Sequence, residues 1–143
     1  MTDLLTLTSA YLKQMPLDAL PGLAADIRTF LIDTVSHTGG HIGANLGVVE
    51  LTIALHYVFD SPHDKLLFDT GHQGYTHRIL TGRAAQFPSL NSFSGMSRFL
   101  QRIDSPHDII DATHAGTGIS TAVGLAHAMR AAGNQHRVVA IVG

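Results

Sequence analysis

Two short apolar runs, Leu66-Leu67-Phe68-Asp69 and Arg137–Gly143, flank a helical pattern at Thr117 to Ala132. Continuous apolar runs of this length suit strands buried on both faces, as parallel sheets require. The order strand, helix, strand therefore predicts an α/β fold with a parallel sheet and right-handed crossovers. In such sheets ligands gather at the carboxyl ends of the strands. Those ends are Asp69-Thr70-Gly71-His72 and Gly143. The second run reaches a glycine where a ligand-binding loop is expected to begin.

The helical elements are predicted from apolar spacing and caps. Residues 3–14 read as a short amphipathic helix ending before Pro16. Asp18 reads as the cap of a longer helix carrying Leu20, Leu23, Ile27, Phe30, Leu31 and Val35, with Pro21 in its first turn and Thr38-Gly39-Gly40 ending it. Asn45 reads as the cap of a helix carrying Val48, Leu51, Leu55, Val58 and Phe59. Asp60 to Asp64 is a turn, 75–82 a brief helix, and 86–111 a long loop of the kind usually tied to function. The 117–132 helix carries small residues on several faces, including Gly118, Ser120, Ala122, Gly124, Ala126 and Ala128, which suggests close backbone approach to a helix or ligand.

A chain of 143 residues is one domain by length. Hydrophobic residues make up 45% and charged residues 14%, so partner surfaces are expected on the outside. A net charge of −2 with no basic run argues against a nucleic-acid or membrane-surface binder. The absence of cysteine removes disulfides, thiolate nucleophiles and Cys-based zinc sites. The N-terminus has no basic n-region of a secretory signal, and the apolar stretches are too short to span a bilayer, so the cytoplasm is the expected location.

The 14 glycines and 10 histidines cluster. Thr38-Gly39-Gly40-His41-Ile42-Gly43, Gly71-His72-Gln73 and Thr113-His114-Ala115-Gly116-Thr117 each set a histidine in a Gly- or Thr-rich turn beside an apolar element. Glycine lets backbone approach a ligand, and histidine can donate to an anionic oxygen or move a proton near neutral pH. The turn at Thr113 to Thr117 opens a helix and is expected to offer backbone N–H groups to a phosphate. Taken singly, a Gly-His pair is more often a hydrogen-bonded turn than a ligand contact. A zinc reading is weaker: His37 and His41 are four apart but divided by Gly39 and Gly40, and His72 and His77 are five apart. His56, His63, His107, His127 and His136 are assigned structural or solvent roles.

The run Ser36 to His56, with Phe68 to Tyr75, His77 to Arg83, Ser105 to Asp108 and His114 to Ser120, resembles the N-terminal segment of the 1-deoxy-D-xylulose-5-phosphate synthase family, which is transketolase-like and uses thiamine diphosphate. The resemblance covers the chain from about residue 18, with the motifs in order. It implies that residues 1–143 form the N-terminal part of a parallel-sheet, helix-flanked diphosphate-binding domain, with the pyrimidine-binding and C-terminal domains absent from this chain. It implies that His41 and His72 are catalytic and that His72, Thr113, His114, Ala115 and Gly143 contact the cofactor. Gly143 matches the first glycine of a Gly-Asp-Gly motif whose Asp binds magnesium, so the metal ligands are expected beyond this chain. The implied reaction condenses pyruvate with glyceraldehyde 3-phosphate with loss of CO2, in a homodimer or a complex with a second chain.

Departures from the family pattern point to alternatives. Thr113 and Ala115 replace the usual Gly or Ser around the third histidine, and Ser94 to Arg102 keeps Gly95 and Arg102 while changing Pro-rich and aromatic positions. A transketolase-like paralogue with another acceptor accommodates the changed loop. A non-catalytic lobe acting through a partner accommodates the apolar composition and the small-residue helix. Without partners the chain is expected to be unstable or prone to aggregate.

Overall fold

The computed structural model describes residues 2–111 and 113–143. The elements are helices α1 (Ser9–Leu12), α2 (Leu20–Thr38), α3 (Ile42–Leu46) and α4 (Val49–Val58), strand β1 (Lys65–Phe68), helices α5 (Tyr75–Leu80) and α6 (Thr117–Ala131), and strand β2 (Val138–Ile141). Single 3₁₀ segments cover Leu17–Ala19 and Ala84–Ser89. The chain forms two compact units, residues 2–58 with 73–98 and residues 59–72 with 99–143. Among the described residues no helix is long and apolar enough to cross a membrane.

The first unit is held by apolar burial. α2 turns Leu23, Ala24, Ile27, Leu31 and Val35 to one face, the three-to-four residue spacing of an amphipathic helix. They pack with Val49 and Ile53 of α4, Tyr75, Ile79 and Leu80 of α5, and Phe87. Phe87 meets Phe30 and Tyr75 edge to face, with ring centroids 5.4 and 5.8 Å apart. Complete burial of Ile27 and Leu31 is worth about 1.5–3 kcal/mol for each side chain. Pro21 lies in the first turn of α2 and Gly39 ends it at φ 71°, as the sequence suggests.

The caps differ from expectation. Asp18 lies within the 3₁₀ segment, and Ala19 precedes α2 with no side-chain cap. Helix α1 is only four residues long. The Asp3 carboxylate accepts from Leu5 N and Thr6 Oγ1, a local arrangement that competes with helix, and Leu4 and Leu7 are buried instead. Asn45 is no cap for α4. It lies inside α3, its Oδ1 accepts from Tyr75 N at 2.8 Å, and its Nδ2 donates to the His41 carbonyl at 2.6 Å. A buried amide satisfied at both ends fixes tertiary geometry that the sequence pattern does not reveal.

The second unit is built on the predicted parallel pair. β1 and β2 run parallel, with Lys65, Leu66, Leu67 and Phe68 opposite Val138, Val139, Ala140 and Ile141. Asp64 sets the register at one end: its Oδ1 accepts from Arg137 N at 2.6 Å, and Lys65 N donates to the Arg137 carbonyl at 2.8 Å. Asp69 N closes the other end on the Ile141 carbonyl at 2.8 Å. The second strand is shorter than Arg137–Gly143 because pairing stops at Ile141. α6 packs on both strands. The 86–111 region is largely turns, as expected, but is shared between the units. Gly95 is sterically obligatory, since a β-carbon there would lie 2.2 Å from the Ser89 carbonyl oxygen.

Candidate functional site

In the second unit the carboxyl end of β1 makes a sharp corner. Asp69 follows the strand, and Thr70 and Gly71 then adopt positive φ of 64° and 76° before His72. A threonine in the left-handed region is strained, since its Cβ crowds the backbone there. His72 is half-buried.

The Asp69 carboxylate holds this corner. It is 3% exposed. One oxygen accepts from Gly116 N and the other from Gly118 N, both at 2.8 Å. These amides open α6, whose preceding residue Gly116 has φ 87°. A carboxylate is favoured there by the unsatisfied amides and the helix dipole. The Gly116 and Gly118 amides hold the Asp69 carboxyl below the usual carboxylate range against the opposing effect of burial. The close approach expected of the small residues in α6 is realised at Gly118, where a β-carbon would lie 3.0 Å from Asp69 Cβ and Oδ1. Gly124 has open space around it, and Ile119 and Val123 are exposed.

Two amides of the expected phosphate cradle are occupied from within the chain. The amides of Gly116 and Gly118 are already taken by Asp69, so an internal anion fills part of the helix terminus. Thr113, His114 and Ala115 precede it on the exposed turn. Thr113 and His114 line a pocket of about 330 Å³ together with Ile110, Asp111, Thr117 and Thr121. Arg102 binds Asp111 through its Nε at 2.7 Å and its backbone N at 2.6 Å, and these contacts hold the Asp111 carboxyl below the usual range. Gly143 is exposed beyond β2. The second unit thus gathers His72, the 113–115 turn and the β2 terminus around the Asp69 corner.

His41 belongs to the first unit, at the residue preceding α3. Its backbone N donates to the Tyr75 hydroxyl at 3.3 Å, and its carbonyl receives the Asn45 amide. The same hydroxyl would lie 2.7 Å from a β-carbon at Gly40, a residue at φ 143°. The sequence pattern marked His41 and offered Asn45 only as a cap, and it gave no sign of Tyr75, which lies 34 positions from His41 and 30 from Asn45.

Six other histidines have partners. His37 Nδ1 bonds the Asp33 carbonyl at 2.7 Å. His77 Nδ1 and His56 Nε2 are 2.8 Å apart in the buried core. His107 Nδ1 meets Ser61 Oγ at 2.9 Å, and His63 stacks on His136. Among the described residues no three His, Asp or Glu side chains come together to hold a metal ion.

These features describe an α/β domain with a parallel sheet and a histidine corner at a strand's carboxyl end. The family model described as 1-deoxy-D-xylulose-5-phosphate synthase matches residues 6–143. Relatives bearing that name include one from Corynebacterium jeikeium, 56% identical over 135 residues, and 1-deoxy-D-xylulose-5-phosphate synthase 1 of Geobacter sulfurreducens, 52% identical over 134 residues. Each alignment covers 94% of this chain and 21% of the relative. The chain belongs to the 1-deoxy-D-xylulose-5-phosphate synthase family, and it spans about a fifth of the length of the curated relatives it matches.

Proposed function

We propose that this chain forms the diphosphate-side wall of a thiamine diphosphate-dependent transferase that condenses pyruvate with glyceraldehyde 3-phosphate with loss of CO2. The product would serve isoprenoid, thiamine and pyridoxal synthesis. The observation that carries the reading is the corner at the end of β1, where a half-buried His72 follows a strained Thr70-Gly71 turn tied through Asp69 to the His114 turn. Strain and buried polar contacts concentrated at a strand's carboxyl end are characteristic of ligand sites.

The residues fit one side of the cofactor. His72 and the Thr113 to Ala115 turn supply an imidazole, a hydroxyl and backbone groups, while Asp69 already occupies two α6 amides. The diphosphate and its magnesium are assigned mainly to groups outside these 143 residues, with Gly143 beside them. The bound cofactor would supply the electron sink. His41 is assigned proton transfer on the substrate, and His72 proton transfer or orientation beside the reacting carbon. His41 is held at its backbone by Tyr75 and Asn45. The partner is the remainder of the enzyme or a second chain, in a homodimer, with the cytoplasm as its location.

His72→Ala in the whole enzyme should lower turnover by about 10²–10⁴-fold. Turnover equal to wild type would remove His72 from the reaction. A wild-type enzyme that neither binds thiamine diphosphate nor consumes pyruvate would overturn the reading.

A further inference from the structure

We propose that Asp69 is the positioning residue of this corner: its carboxylate clamps the turn carrying His114 to the end of β1 and fills the α6 amides that a phosphate would otherwise take. The proposal rests on the functional reading above for what the turn faces, and on the geometry for the clamp itself.

Three features support it. First, Asp69 joins three segments at once. Its backbone N donates to Ile141 of β2, one carboxylate oxygen takes Gly116 N, and the other takes Gly118 N. Second, the fit is close from both sides. A β-carbon at Gly118 would press on Asp69 at 3.0 Å, and Gly116 uses a positive φ of 87° to turn its amide inward. Third, the carboxylate is buried at the positive end of a 15-residue helix, so the anion compensates both the dipole and two otherwise orphaned amides. A phosphate placed against the same two amides would meet a buried negative charge. The turn is therefore ordered before any cofactor arrives, and it presents its remaining groups through His114 and its neighbours. Preorganisation of this kind lowers the ordering cost of binding. Asp69 touches no reacting atom in this assignment. It acts through the placement of His114 and, three residues along its own strand end, His72.

The experiment uses the whole enzyme. Hydrogen exchange of peptides covering 113–121 and 138–141 is followed in the cofactor-free state for wild type, Asp69→Asn and Gly118→Ala, alongside titration with thiamine diphosphate. Asn keeps the shape but turns an NH₂ toward one of the two amides, so protection of 113–121 should fall about ten-fold or more while 138–141 holds. The cofactor Kd should rise about ten-fold, with kcat at saturating cofactor changed less. Gly118→Ala should loosen the same peptide to a smaller degree, which keeps the idea testable if Asp69→Asn does not fold. Unchanged protection of 113–121 in either variant overturns the clamp. Lost protection with an unchanged cofactor Kd overturns the positioning role. Failure of wild type to bind the cofactor sinks the functional reading instead, and the exchange result then decides the clamp alone.

Discussion

The two units are stabilised in different ways. The first gathers aliphatic and aromatic side chains of α2, α4, α5 and Phe87 into one apolar cluster. The second has a short parallel pair and a largely exposed α6, and carboxylates fix its geometry: Asp64 at the start of the strands, Asp69 at their end and Asp111 on Arg102. Apolar burial is non-directional and tolerates approximate fits, whereas hydrogen bonds to charged groups set angles and register. Five of the six candidate site residues lie in the second unit. Placement there depends on a few directed contacts, so single substitutions should move the site with little effect on the apolar cluster. His41, in the first unit, also depends on polar anchors, Tyr75 and Asn45.

The sharpest way to break this contrast is a cavity in the first unit. Ile27→Ala should destabilise by about 2–5 kcal/mol, read from denaturant unfolding, because Ile27 is fully buried. A cost well below that range would show that the cluster is not the main support. Gly95→Ala should cost about 1–3 kcal/mol, since the methyl meets the Ser89 carbonyl at 2.2 Å and backbone must shift.

Acid tests the Asp69 corner directly. Asp69 has its carboxyl pulled down by the Gly116 and Gly118 amides. Its stabilising effect is therefore complete above the unfolded value of about 3.9 and lost as pH falls through the lower folded value. Exchange protection of 113–121 should fall in that acid window. Protection of 113–121 that persists through that window would remove the Asp69 carboxylate from the support of the turn.

Smaller effects sharpen the picture. Tyr75→Phe removes the hydroxyl that accepts from His41 N and should cost about 0.5–1.5 kcal/mol, with turnover of the whole enzyme falling further than stability implies. Unaltered turnover would detach Tyr75 from the placement of His41. Val123→Ser, on the exposed face of α6, should stay within about 0.5 kcal/mol in the isolated chain. A larger loss would indicate that the face is covered in solution.

The elements legible from sequence were those with a strong local signal. β1, β2, α2 and α6 follow from continuous apolar runs, helical spacing and terminal glycines, with ends differing by a few residues. The three Gly-His or Thr-His turns also stood out, because glycine and histidine are conspicuous there. Two cap assignments, Asp18 and Asn45, were wrong: Asp18 lies in the 3₁₀ segment before α2, and Asn45 lies inside α3. A side chain that can cap a helix can equally bond elsewhere, and Asn45 bridges the His41 carbonyl to Tyr75 N. Two of the amides expected to serve a phosphate at the α6 turn are likewise taken by a distant group, since Asp69 is 47 residues from Gly116 along the chain.

By itself the sequence determined the parallel α/β class, the family and the segments that carry the histidines. These depend on residue type and local spacing, which a linear text preserves. The tertiary structure alone decided that Asp69 takes two amides of the α6 terminus, that Asn45 and Tyr75 hold the backbone of His41, that Gly95 admits no side chain and that Gly118 packs tightly on Asp69. Each of those outcomes is a choice among several chemically acceptable partners, and only the distances set by the folded backbone make it.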